Sequence, residues 1–525
     1  MVSTNNNVTK YALIAAFGGF VFGLDAANLS GAVRYISSYF ELTSSQVGFV
    51  AGITLWGVIF ALFFTGMLCE WFGRKKVLIA IAIGYALSSL LSATAVSYEM
   101  LAFGRFIGGL AFASITVSAM YVGEITPPSQ RGKFVSVNQF MIALGLLLAF
   151  IINYFLLRGL SVNEYLDGEN VWRFMLGSEL VANVIWLSLL FLVPESPRWL
   201  LKKGREEEAR QAFAKLVPAD QIESTVVAVR ESLSKDNEAN SMREIWGQLK
   251  TLFSGRMRLV LAIAVVYAIT QGATGMNAVL FFAPMIFEQV GMSVEDTFMQ
   301  TVSMGVFGLV ATVIAIFSIE RLGRRFLTLA GLALVIIAHT STWYSFSNAT
   351  YDISPKTITE VSEILIDERV DVSKLNKLAG TSFENDVALK AALANEFNKS
   401  ELPLVTGPVI NASINGVIAP LALFGIFLFL AAFNLSIGPI MWVIFSEIFP
   451  NKIRSVAMPV AALVQTISSI LVTQPLPWLL DVIGTASVFM VYALVGVVGF
   501  AVMFFILPET KGKSIEMIEK DLVRT

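Results

Sequence analysis

The chain has 525 residues, 56% of them hydrophobic and only 14% charged, with a net charge of −2 and a mean hydropathy of +0.71. A soluble domain carries about 25% charged residues, so this composition excludes a soluble enzyme and describes an integral membrane protein. A lone cysteine (Cys69) and a lone histidine (His339) exclude a disulfide framework, the usual Cys/His zinc sites and Cys–His nucleophile pairs, and no basic run with interleaved aromatics points to nucleic acid.

A helix needs about 20 mainly apolar residues to cross the hydrocarbon core. Twelve stretches qualify: 11–36, 47–68, 77–97, 100–122, 134–157, 173–193, 257–288, 299–319, 326–346, 413–440, 456–479 and 484–507. The polar start, MVSTNNNVTK, has no cleavage site of small residues, so the first stretch reads as a span rather than a signal peptide. Lys and Arg in short loops set orientation. One side carries Arg74, Lys75, Lys76, Arg131, Lys133, Arg321, Arg324, Arg325, Lys452 and Arg454, and the other carries essentially Arg158 alone. The first side is therefore expected to be cytoplasmic, with both termini on it. Residues 194–256 are polar and charged and read as a cytoplasmic linker with short amphipathic helices. Residues 347–412 read as an external loop forming a small helical cap, with sequons opening at Asn348, Asn398 and Asn411.

The chain repeats itself. Glu124-Ile125, Pro127 and Arg131 after span 4 recur as Glu447-Ile448, Pro450 and Arg454 after span 10. Gly73-Arg74-Lys75 recurs as Gly323-Arg324-Arg325, and Pro194-Glu195-Ser196 as Pro508-Glu509-Thr510. The offset is 250 residues for the glycine motif and 323 and 314 for the other two. The jump falls where the second half carries its external segment. The expected organisation is a six-helix half at 1–193, the linker at 194–256, a second half at 257–507 and a cytoplasmic tail at 508–525. Parallel six-span repeats with a site between them near the midplane are the architecture of a rocking transporter. No filter sequence marks a channel, and no clustered acids, histidines or metal ligands in the membrane region mark an enzyme.

These motifs resemble the sugar porter family of the major facilitator superfamily over nearly the whole chain. Gly66-Met67-Leu68-Cys69-Glu70-Trp71-Phe72-Gly73-Arg74-Lys75 matches G-x-L-x-D-R-x-G-R-K, with Glu for Asp and Trp for Arg. Pro194-Glu195-Ser196-Pro197-Arg198-Trp199-Leu200 matches P-E-S-P-R-W-L, and Pro508-Glu509-Thr510-Lys511-Gly512 matches P-E-T-K-G. Gly438-Pro439-Ile440-Met441-Trp442 with Ser446-Glu447-Ile448-Phe449-Pro450 matches the tenth-helix signature. The resemblance implies an all-α membrane protein of twelve helices in two pseudo-symmetric six-helix halves, the major facilitator fold.

An ionised Asp at the bilayer centre costs about 2.5–3.5 kcal/mol, so Asp25 in span 1 needs a partner. Helical rise places it about 9 Å below the outer face and places Arg105 of span 4 about 6 Å below it. A pair is geometrically allowed, and a buried carboxyl beside a guanidinium is a natural proton switch. The resemblance agrees, because the family's proton symporters carry an acid and an Arg at these two positions. A static ion pair is the alternative.

A sugar presents a ring of hydroxyls and an apolar face. It calls for amides, which donate and accept, and an aromatic platform. Gln139, Gln271, Asn277 and Gln465 supply the first, Trp442 the second, and Phe22 and Phe281 can line the cavity. By resemblance the four amides fall on sugar-binding positions. The family's Q-Q-x-x-G-x-N here reads Gln271-Gly272-Ala273-Thr274-Gly275-Met276-Asn277, Thr466 follows Gln465 where similar bacterial symporters often carry an aromatic, and Phe281 lacks the hydroxyl of the Tyr often found there, which together imply a roomier, less polar site. Glu70, Arg74, Glu124, Arg131 and their repeats Glu320, Arg324, Glu447 and Arg454 lie at inner span ends, where similar porters latch the inner gate. Gly438-Pro439 can bend span 10. His339 is expected to cap or pack within span 9, and Cys69 to be an inert loop thiol.

The resulting expectation is a proton-coupled sugar symporter that imports a hexose or pentose by alternating access. It needs no cofactor beyond the coupling proton. Its partners are a small-molecule sugar and the lipid bilayer, and it works as a monomer in a bacterial inner membrane. A uniporter, a symporter for a larger sugar such as a disaccharide, and a sugar sensor are the alternatives.

Overall fold

The computed structural model describes residues 6–126, 131–160, 163–236, 242–365, 370–450, 452–513 and 515–522; the side chains at 6, 131–136, 234–236, 242–245, 320, 515–516 and 521 lie outside that description. Twelve helices among the described residues are long and apolar enough to cross a membrane. Spans 1 to 6 are Asn7–Tyr39, Ser44–Phe72, Arg74–Ala93, Tyr98–Ile125, Val137–Gly159 and Val171–Leu190. Spans 7 to 12 are Gly255–Phe281, Val294–Ile319, Arg324–Phe346, Ala419–Ile448, Arg454–Val482 and Gly484–Ile506. All coincide with the apolar stretches of the sequence, their ends shifting by up to about two turns.

Polar residues fix where the spans begin. Thr43 and Gln46 form a capping box at the start of span 2, and Ser97 and Ser293 cap spans 4 and 8. Each cap satisfies an N–H that the first helical turn leaves without a partner. The repeated glycines make the reversals between spans 2 and 3 and between spans 8 and 9, at φ +91° for Gly73 and +89° for Gly323. Such angles suit glycine alone. The repeated glutamates explain themselves at the same corners. Glu195 accepts the Lys75 N–H at 3.0 Å, and Glu509 accepts those of Arg324 and Arg325 at 3.0 and 3.1 Å. Each glutamate thus caps the helix that follows the repeated glycine of its own half.

The twelve spans form two six-helix bundles. In the first, Gly23 and Gly145 bring the backbones of spans 1 and 5 together, the small-residue contact of membrane helices. Three spans of the second bundle are broken. Span 7 stops at Ala273, passes Gly275 at φ +90° and restarts at Met276, and a further short helix, Ala283–Glu288, follows. Span 10 breaks at Ser436, just ahead of the Gly438-Pro439 pair. Pro439 has no N–H for the Leu435 carbonyl, which accounts for the break there. Span 11 breaks at Gln474-Pro475.

Among the described residues, direct hydrogen bonds and ion pairs between the bundles gather at the span ends remote from the termini. Ser44 of span 2 bonds Asp481, and Trp56 Nε1 donates to Gln474 Oε1 at 3.1 Å. Arg158 meets Glu295 at 3.2 Å and Arg34 meets Glu288 at 3.1 Å. The two bundles are therefore closed against each other at that end.

The external segment is a folded cap. Strands β1 (Thr350–Asp352), β2 (Ser382–Phe383) and β3 (Ile414–Asn415) form an antiparallel sheet in the order β2-β1-β3. Helices Pro355–Ile364, Asp386–Glu396 and Leu402–Ser413 pack with it around Tyr351, Val361, Leu375, Leu389 and Val409. The expected helices are present; the sheet is an addition. The 194–256 linker carries the helices Pro197–Lys202, Glu206–Ala214, Ile222–Asp236 and Met242–Leu252. Cys69 is not in a loop: it is buried in the last turn of span 2. His339 is buried among Phe429, Phe489 and Tyr492, and its Nε2 lies 3.1 Å from the Thr274 carbonyl at the break in span 7.

Candidate functional site

Spans 1 and 4 bring Asp25 and Arg105 together. Arg105 Nη1 donates to Asp25 Oδ1 at 2.6 Å and Nη2 to Oδ2 at 3.4 Å. The side chains are 0% and 2% exposed, so the pair is sealed from both solvents in this state. Gly108, one turn beyond Arg105, leaves room for the Asp25 carboxyl and for Ser88.

A third ionisable group completes this cluster. Glu179 of span 6 is buried, with Asp25, Arg105 and Ser89 as its polar neighbours. Tyr85, also buried, shares a hydrogen bond with Ser114 at 3.4 Å. The expectation of no clustered acids in the membrane is thus corrected: two carboxyls face one guanidinium. The signal was present, since Glu179 is a lone acid inside an apolar stretch, but matching the depths of spans 1 and 4 alone did not reach span 6.

The expected sugar ligands lie on both halves. Gln139 of span 5 and Phe22 of span 1 are half-buried, with Phe22 set edge-on to Phe112 at 4.4 Å. In the second half, Asn277 Nδ2 donates to Ser469 Oγ at 2.7 Å, and Gln465 Oε1 accepts from Thr466 at 3.4 Å. Gln271 Oε1 is buried without a hydrogen-bond partner. Trp442 is 44% exposed, a face open for stacking. Phe281 departs from expectation: at 2% exposure it is packed into the closed outer end of span 7 and offers no cavity surface in this state. At Gly272 a side chain would run into the Gln465 backbone and Ser468 of span 11, so span 11 fills the space there in this state.

At the inner ends, Arg74 bridges Glu70 at 3.1 Å and Glu124 at 2.8 Å, and Lys202 of the linker also reaches Glu70 at 2.6 Å. Arg324 meets Glu447 at 2.9 Å, whereas Arg454 bonds the Phe449 carbonyl at 3.0 Å. Each Arg–Glu pair joins two spans or neighbouring turns of one half. The side chains of Arg131 and Glu320 lie outside the described residues.

The family profile described as "Sugar (and other) transporter" matches residues 11–357 and 403–522. The chain belongs to this family. It is 30% identical over 509 residues to the arabinose-proton symporter of Bacillus subtilis, covering 96% of this chain and 93% of that one. It is 29% identical over 512 residues to the glucose transporter GlcP of Staphylococcus epidermidis, covering 97% and 96%. Among solved structures it superimposes on the inward-open xylose transporter XylE of Escherichia coli with a TM-score of 0.72 at 26% identity, covering 98% of this chain and all of that one. This member of the sugar transporter family is accordingly a multi-pass membrane protein with the major facilitator fold, and its class is a carrier.

Proposed function

We propose that the chain is a proton-coupled symporter that imports a monosaccharide, a hexose or pentose, by alternating access. The sealed Asp25–Arg105 pair carries this reading, supported by the arabinose-proton symporter among its relatives. Two ionised carboxyls beside one guanidinium would leave one negative charge unmatched in a dry site. A proton on Asp25 or Glu179 removes that charge, and a proton on Asp25 loosens its grip on Arg105. Movement of spans 1, 4 and 6 can then follow protonation. Gln139, Gln271, Asn277 and Gln465 would hold the hydroxyls against Trp442 and Phe22. The inner arginine–glutamate clusters would rearrange to close the inner gate when the carrier faces outward. Both termini would be cytoplasmic, the two halves would rock as 1–193 and 257–507, and a monomer with no cofactor but the proton would suffice.

The test is uptake into liposomes of glucose, arabinose and xylose, with and without an inward proton gradient. Asp25→Asn should lose gradient-driven accumulation and keep gradient-free exchange. If parent and variant equilibrate sugar alike and ignore the gradient, Asp25 is a structural partner of Arg105 in a facilitator.

A further inference from the structure

Residues 358–402 lie outside the stretches that match the family. They form the middle of the external cap, and the cap has its own apolar core, so it is a built element rather than a loose loop. It is fastened to the second half. Buried Asp386 accepts from the Thr485 backbone N–H at 3.0 Å and from its hydroxyl at 2.8 Å, and Lys390 donates to the Leu480 carbonyl at 3.1 Å.

The same cap also reaches the first half, at two points on span 1. Arg34 Nη2 donates to the Leu404 carbonyl and Ser38 Oγ to the Ser400 carbonyl, each at 3.0 Å. The Leu404 carbonyl is available for a reason written in the sequence. Its helical donor would be the N–H of residue 408, which is Pro408. Arg34 uses its other nitrogen, Nη1, for Glu288 at the end of the short helix that follows span 7, with 7% and 10% of the two side chains exposed. Glu288 is in turn packed beneath Gly407 of the cap. One arginine of the first half therefore joins two acceptors that move with the second.

We propose that the cap is an external latch, in which Arg34, Glu288 and the Leu404 and Ser400 carbonyls together hold the outer gate shut and must part for the carrier to face outward. Arg34 and Glu288 are positioning residues for transport, not sugar ligands. The latch rests on the alternating-access reading. Its tests separate the two.

In a carrier with Cys69 replaced by Ala, Ser38→Cys and Ser400→Cys would be bridged with a short, cleavable bis-methanethiosulfonate reagent. Bridging should cut exchange of radiolabelled glucose, arabinose or xylose at least tenfold, and reduction should restore it. Each single cysteine treated alike should exchange normally. A bridged carrier exchanging at the parent rate would overturn the latch, as would two labelled thiols that never bridge. Independently of any sugar, nitroxide labels at Glu99 and Ser347, exposed on the outer rims of the two halves, report the gate. Glu288→Gln should add a longer-distance population absent from the parent, and an unchanged distribution would also sink the proposal. If the parent carries none of the sugars while Glu288→Gln still adds this population, the transport reading is refuted and the latch stands.

Discussion

Glu179 changes what the proton site can do. With Asp25 alone, Arg105 would have a single carboxylate to release. With Glu179 against the same pair, the proposed proton route has two carboxyls to visit before it reaches the cytoplasm. Glu179→Gln keeps the size of the side chain and removes that second acceptor. The expected outcome is proton-driven uptake at least tenfold slower than the parent, with gradient-free exchange retained, read in the same liposomes. Equal uptake would make Glu179 a bystander. Gln271 carries the companion prediction for sugar. Its Oε1 is buried and unpartnered, a state that costs about 1–3 kcal/mol until a donor arrives. A sugar hydroxyl is such a donor. Gln271→Ala should raise KM roughly tenfold, the equivalent of about 1.4 kcal/mol. An unchanged KM would show that the oxygen faces no ligand.

At the level of elements, the repeated P-E-S and P-E-T motifs are helix caps, and this has a pH signature. Burial opposes ionisation of Glu509, but the backbone N–H groups of Lys511, Arg324, Arg325 and Thr510 prevail and hold its carboxyl below the usual range. A depressed folded-state value means that the cap contributes its full stability above the ordinary carboxylate value and loses it as pH falls through the folded value. Glu509→Gln should melt below the parent at pH 7, and the gap should narrow below about pH 4. A gap independent of pH would mean that charge at the cap is irrelevant. The spans themselves were legible because membrane insertion is set by apolar length, a property of composition over about 20 residues. Asp25 and Arg105 were legible for the inverse reason, since a charge in such a run is expensive. Arg34 and Glu288 sit nearer the ends of their apolar runs, where a charge reaches the interface cheaply, so nothing in the sequence separated a buried pair from a snorkelling one. The cap's sheet was illegible because strands of two or three residues carry no periodicity. The close approach at Gly272 depends on span 11, which no local pattern reports.

For the whole molecule, the external seam decides which way the carrier faces. Gly48 and Gly52 of span 2 lie against Gln474, at the break in span 11. A Cβ at position 52 would already stand 2.8 Å from the Gln474 Cβ, so an indole there cannot be accommodated while the seam is closed. The bundles must then splay outside, which exposes the sugar site to the external medium and prevents the return. Gly52→Trp should therefore bind sugar from solution within a few-fold of the parent affinity, measured by calorimetry in detergent, while exchange in liposomes falls below about a tenth. Binding survives because residue 52 lies away from Gln271, Asn277 and Gln465; exchange fails because it requires both orientations, and only one remains. If Gly52→Trp exchanges sugar at the parent rate, the halves do not rock about this seam. If it loses binding and exchange together while remaining folded, the outward-open state does not contain the site assembled from those amides.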